Sequence, residues 1–271
     1  MLRGLMTPSP YRTDLLAGKV AFVTGGGSGI CEGITRAFLQ HGADAVIVGR
    51  NVERLEATAQ RLSQLTGRTC LAAPADVRKP DEVEGAVDQT LARFGRLDIV
   101  VNGAAGNFLA PAAMLSPNGF RTVMEIDAVG TYIVSRTAFD KRLRDHGGCI
   151  LNISATLHYG ATPMQVHASA AKAAIDSITR SLALEWGGAG IRVVGIAPGP
   201  IEDTEGVSRL VQGGMKEKLT RTIPLGRFGR IEEIASVALF LCSDAGSLVH
   251  GATVVADGGA WMGGGNAVMM E

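Results

Sequence analysis

The 271-residue sequence predicts an α/β fold: one doubly wound parallel sheet with helices on both faces and a short insertion covering the ligand side. Three observations carry that expectation. Short β-branched apolar runs alternate with longer segments of helical spacing. The first apolar run passes directly into a glycine turn and then a helix. No internal repeat or linker divides the chain, so a single domain is expected over 1–271, with the insertion at 202–223.

Composition narrows the function classes. Hydrophobic residues make up 46% of the chain and charged residues 19%, with 26 Lys and Arg against 26 Asp and Glu. The formal net charge is therefore zero, and no basic field exists to hold nucleic acid or an anionic membrane. Cys31, Cys70, Cys149 and Cys242 contain no C-x-x-C pair and each lies in or beside an apolar run. That is the pattern of buried, reduced thiols rather than of metal ligands or disulfides. No apolar run is long enough to span a membrane, and the N-terminus lacks the sustained apolar region of a secretory signal, so a soluble intracellular protein is expected. The final residues, Val268-Met269-Met270-Glu271, are not a Ser-Lys-Leu-type peroxisomal address.

Residues 1–18 read as an irregular lead-in. KVAFVT, from Lys19 to Thr24, is a β-branched strand, followed by GGGSGIC and the helical pattern EGITRAFLQHG. Gly25, Gly27 and Gly29 permit backbone geometries closed to other residues. With Ser28 and Ile30 they bring free N–H groups of a helix N-terminus up to a pyrophosphate. ADAVIVGRN is the next strand and closes a βαβ crossover, the context that turns a weak glycine signal into a dinucleotide site. A site for NAD places a carboxylate at the end of that strand. Here the residues are Arg50 and Asn51, with Arg54 a turn later, and guanidinium groups suit the 2′-phosphate of NADPH. A helix is predicted over 52–65. CLAAPADV then ends in Asp76 and Val77, with Asp76 placed to accept from an adenine amino group. A helix over 80–94 leads to LDIVVNGAAGNF, a strand running through Asn102 into small residues that leave space for a cofactor at Ala104.

Thr24-Gly-Gly-Gly-Ser-Gly-Ile-Cys31, Asn102-Gly-Ala-Ala-Gly106 and Pro198-Gly199 resemble the short-chain dehydrogenase/reductase family, which has a Rossmann fold, across nearly the whole chain. Cys31 departs from the third glycine of that family's turn. The family sets a serine after the fifth strand and a Tyr-x-x-x-Lys on the next helix, where tyrosine moves the proton and lysine holds the nicotinamide ribose. Lys172 matches the lysine, but Ala168 stands in the tyrosine place and Ala155 in the serine place. His158, Tyr159 and His167 lie nearby, none at the family spacing.

A narrower resemblance is carried by Ala104-Ala-Gly-Asn-Phe108, Thr122-Val-Met-Glu-Ile-Asp127, Gln165-Val-His-Ala168, Pro198-Gly-Pro-Ile201 with Thr204-Glu-Gly206, and Ala256-Asp-Gly-Gly-Ala-Trp261. These segments look like the 2,4-dienoyl-CoA reductases, in particular their peroxisomal branch, which also lacks the tyrosine. The resemblance implies an acyl-CoA substrate and cofactor contacts from Pro198, Gly199, Ile201 and Thr204. It makes Asp127 the partner of Lys172 in orienting a proton-giving water, and Asn107 the donor to the thioester oxygen. It also implies a homotetramer formed through the fourth and fifth helices, and a peroxisomal location. The chain's end leaves a cytoplasmic location open.

The remaining elements complete the alternation. The apolar run from Cys149 leads into a long helix over 168–186, and IRVVGIAPGPI is a sixth strand. Residues 202–223 break the rhythm as a substrate lid. Its Arg209, Lys216, Lys218 and Arg221 could meet CoA phosphates. A helix over 231–242, the strand ATVVADGG and a glycine-rich irregular tail close the chain. The same scaffold also serves a reductase or isomerase of another conjugated carbonyl, or a catalytically silent NADPH-binding protein.

Overall fold

The structure, a computed structural model, describes residues 9–204 and 215–262. Seven parallel strands form one sheet in the order β3-β2-β1-β4-β5-β6-β7. β1 (Val20–Thr24) is followed by α1 (Gly29–Gln40), β2 (Asp44–Gly49) by α2 (Val52–Thr66), β3 (Cys70–Pro74) by α3 (Pro80–Phe94), and β4 (Ile99–Asn102) by a loop over 103–116. The sheet is hydrophobic throughout because it is covered twice. Ala21, Val23 and Ile47 face one buried cluster with α1 and α2, while Phe22, Val46 and Val48 face the other.

Strand order reverses between β1 and β4, and their carboxyl ends open a crevice there. Thr24 ties the two rims together. Its hydroxyl donates to Val101 O at 3.2 Å and accepts from the N–H groups of Gly103 and Ala104 at 3.0 and 3.2 Å. Cys31 replaces glycine at this junction without displacing it, because Gly103 has no side chain: a Cβ on Gly103 would stand 2.0 Å from the Cys31 sulfur. Burial pushes the Cys31 thiol up to about 12, so it is an inert filler.

The fourth helical region is not one continuous α-helix. α4 (Pro117–Met124) passes through a π-helical turn, Glu125–Val129, into α5 (Gly130–Ala138); a second such turn, Phe139–Leu143, leads to the short α6 (Arg144–His146). Ser116 starts the region by accepting from Gly119 N, with Pro117 pre-set for the first helical position. β5 (Gly148–Ile153) then leads to α7 (Val166–Trp186), two residues longer at its start than the sequence pattern indicated. β6 (Ile191–Pro198), α8 (Met215–Thr222), α9 (Ile231–Cys242) and β7 (Thr253–Ala256) complete the fold. Part of the expected lid, including Arg209, and the end of the glycine-rich tail lie outside the described residues. All four cysteines are buried free thiols. Tyr132 on α5 and Leu184 on α7, on the helices expected to meet other subunits, are exposed.

Candidate active site

Asp127 owes its position to the π-helical turn. Such a turn inserts an extra residue and re-aims the side chains within it, and here it carries the carboxylate out of the solvent stripe and into the protein, where it is 1% exposed. Gly130 follows and lets the region sit close to the loop after β3, since a Cβ there would meet the Val77 side chain at 2.6 Å. On α7, Ala168 and Ala171 are buried beside Lys172, and the small side chains leave the lysine stem a path inward. Lys172 Nζ lies 3.0 Å from Asp127 Oδ2 and donates to Ile153 O at 3.1 Å. Asp127 Oδ1 accepts from Gly106 N at 2.7 Å, so the same carboxylate holds the lysine and the backbone next to Asn107.

Asn107 stands in the loop after β4, exposed, with its side-chain N–H donated to Gln165 Oε1 at 2.7 Å. The neighbouring Phe108 ring stacks on His167 with centroids 4.4 Å apart and planes 28° apart. Asn107, Asp127 and Lys172 are thereby brought to one rim from three elements. The long-range links that do it, 127 to 172 and 107 to 165, have no local sequence signature.

The three aromatic or imidazole candidates take other places. His158 Nε2 contacts Asp176 Oδ2 at 2.9 Å, and Tyr159 packs edge-on against His158 and Trp261. Burial and the Asp176 charge raise the Tyr159 phenol above its ordinary value, which keeps it protonated. His167 is fully buried, and neither ring nitrogen has a partner among the described residues. Ser154, next to the Ala155 that marks the family's serine place, is also buried, and its hydroxyl is likewise without a partner among the described residues. The sequence reading passed over Ser154 because it is one position out of register. It placed Gln165 in a segment that carries the resemblance but gave it no role, because a glutamine carries no chemical signature of its own.

The crevice fits a dinucleotide. Gly25 and Gly29 have φ of +69° and +58°, and a Cβ on Gly25 would strike Gly103 O at 2.8 Å, whereas the space beyond Gly29 is open. Ser28 makes no side-chain cap to α1, so the first-turn N–H groups near Ile30 remain for a phosphate. Glu32 in that turn is paired with Arg61 at 2.6 Å, which offsets its repulsion of an anion. Gly27 lies beside Leu55 and the Arg54 stem. Arg50 is exposed at the end of β2, while Asn51 caps α2 by accepting from Arg54 N at 2.9 Å. Asp76 is held by Arg78, whose Nη2 lies 2.5 Å from Oδ2, and with the added charge of Arg50 its carboxyl falls to about 2. It therefore stays ionised as an acceptor.

Asn102 faces inward, its amide donating to Ser135 and Asn152 at 2.9 and 2.8 Å, so its side chain braces β4, β5 and α5. On the far rim, Gly199 approaches Asp257 so closely that a Cβ would meet it at 2.6 Å; Ile201 is bridged to Gly229, and Thr204 donates to Ile201 O at 2.8 Å. Lys216 contacts Glu202 at 3.2 Å and lies over Phe228, while Lys218 and Arg221 are exposed. No group of three or more His, Cys, Asp or Glu among the described residues could hold a metal, and no described helix is long and apolar enough to cross a membrane.

A family model described as enoyl-(acyl carrier protein) reductase matches residues 25–260, from the glycine turn after β1 through β7. The chain belongs to the short-chain dehydrogenase/reductase family. It is an oxidoreductase by that membership. It is 52% identical over 255 residues to a peroxisomal 2,4-dienoyl-CoA reductase, (3E)-enoyl-CoA-producing, of Danio rerio, covering 93% of this chain and 84% of that protein. A plant relative with the same name, from Arabidopsis thaliana, is 48% identical over 264 residues, covering 94% and 88%. Among solved structures, a citronellol catabolism dehydrogenase of Pseudomonas aeruginosa superposes with a TM-score of 0.83 at 34% identity, covering 94% of this chain and all of that one. A gluconate 5-dehydrogenase from Burkholderia cenocepacia, in complex with NADP and tartrate, gives 0.86 at 30% identity, covering 92% and 97%.

Proposed function

We propose that the protein is an NADPH-dependent reductase of 2,4-dienoyl-CoA esters that yields 3-enoyl-CoA. The observation that carries this reading is the buried Asp127–Lys172 contact of 3.0 Å at a site where Ala155 and Ala168 offer no hydroxyl. A carbonyl reductase must protonate an alkoxide oxygen, which calls for an acid at the tyrosine place. A conjugated thioester has a different need: hydride adds at the far end of the diene, negative charge collects on the thioester oxygen, and a proton then goes to carbon. The first requirement is an oxyanion donor, and the proton can come from water.

Bound NADPH supplies the hydride. Arg50 and Arg54 would hold its 2′-phosphate, the glycine turn its pyrophosphate and Lys172 its nicotinamide ribose. Asn107 donates its free side-chain N–H to the thioester oxygen, a donor of a kind worth about 3 kcal/mol in the transition state. Asp127 fixes the ammonium group of Lys172 and the pair orients a water beside it, so the two act as one proton-delivering unit. The peroxisomal relatives and the apolar Phe108 and Leu109 beside Asn107 support a fatty acyl substrate. The test mixes protein, NADPH and 2,4-dienoyl-CoA esters of several chain lengths and follows nicotinamide absorbance. Oxidation of NADPH that depends on the ester is expected, and no turnover at any length sinks the proposal.

A further inference from the structure

Three contacts join the loop after β4 to the segment that opens α7, and together they form a clasp over the rim of the site. Asn107 donates to Gln165 Oε1 at 2.7 Å, the Phe108 ring stacks on His167 at 4.4 Å, and Ala110 N donates to Met164 O at 2.9 Å. The chain takes a strained conformation to make them. Met164 has a φ of 62°, one of two non-glycine residues among those described with positive φ, and the conformation costs on the order of 1 kcal/mol for a residue with a Cβ. The turn at Met164 places Gln165 at the head of α7, partly buried and facing the exposed Asn107.

We infer that Gln165 is a positioning residue for the oxyanion donor, an inference that rests on the role proposed above for Asn107. An exposed asparagine on a loop would sample several rotamers, and each turns its N–H groups elsewhere. Gln165 Oε1 accepts one of the two N–H groups. The amide is planar, so fixing one N–H fixes the direction of the other, which is left for the thioester oxygen. The acceptor also polarises the Asn107 amide and strengthens the second donation as charge develops. Gln165 itself touches neither reacting atom. Its contribution is orientation in advance, which matters most where a donor must meet charge that exists only in the transition state.

The test is a double-mutant cycle with NADPH and a dienoyl-CoA ester, using Asn107→Ala, Gln165→Met and the double variant. Methionine keeps the length of the side chain and removes the acceptor. Gln165→Met is expected to lower kcat by about 10- to 100-fold while KM and the NADPH dissociation constant, read from nicotinamide fluorescence, change by less than about threefold. The double variant should be no more than about twofold slower than Asn107→Ala alone, because the brace has nothing left to position. Multiplying losses, or an unchanged kcat in Gln165→Met beside an impaired Asn107→Ala, overturn the inference alone. An Asn107→Ala enzyme at full speed removes the oxyanion reading as well. If Gln165→Met does not bind NADPH, Gln165→Ala is carried through the same cycle with the same outcomes.

Discussion

Lys172 is a lone cation among alanines, at the lysine place of the family pattern. Its significance comes from Asp127, 45 positions earlier, which meets it at 3.0 Å with 1% exposure. Burying both charges costs several kcal/mol each before their attraction is counted, and the contact is held by bonds to Ile153 O and Gly106 N. Removing one partner leaves the other charged and unpaired. Asp127→Ala is therefore expected to lower unfolding stability by about 3–5 kcal/mol and turnover by about 100-fold or more, measured by urea denaturation and by dienoyl-CoA reduction. Unchanged turnover in a folded Asp127→Ala protein would remove the proton-delivery role.

At the scale of elements, local pattern was a sound guide wherever the element is local. Helix 80–94 and helix 231–242 were legible from spacing, proline at the start of one and turn signals around both, and the structure has them as Pro80–Phe94 and Ile231–Cys242. The π-helical turn at Glu125–Val129 was not legible, since a one-residue change of helical phase leaves composition and periodicity almost untouched. The glycine turn shows the opposite case, in which sequence alone predicts strain. Gly25 has a φ of +69° and no room for a Cβ against Gly103 O at 2.8 Å. Gly25→Ala is expected to cost about 1–3 kcal/mol of stability and to weaken NADPH binding, both read by thermal unfolding with and without the nucleotide. Full stabilisation of that variant by NADPH would show that the turn does not approach the pyrophosphate.

For the whole molecule, two salt-bridged carboxylates contribute to behaviour in acid. Arg78 holds Asp76 at about 2, and Arg227, with the Arg230 N–H, holds Glu233 at about 2. Both folded values lie below the unfolded ones near 4, so the stability these groups contribute is present above about pH 4. It is lost as pH falls through about 2, because the unfolded chain takes up protons first. The urea midpoint should therefore decline between about pH 4 and 2, and Glu233→Gln should flatten that decline while lowering the midpoint at neutral pH. An equally steep decline in Glu233→Gln removes that carboxylate from the account.

By itself the sequence determined the parallel α/β sheet, the glycine turn, the arginines at the end of β2 and the loss of both family hydroxyls at 155 and 168. Each is a local property, set by side-chain size, backbone freedom or charge within a few residues. Only the tertiary structure decided that Asp127 is buried against Lys172, that Gly103 makes room for Cys31 and that Gln165 holds Asn107. Those pairings join residues on different elements. Whether they meet depends on where the sheet order reverses and on a change of helical phase at 125–129, which are decided by packing of the whole chain.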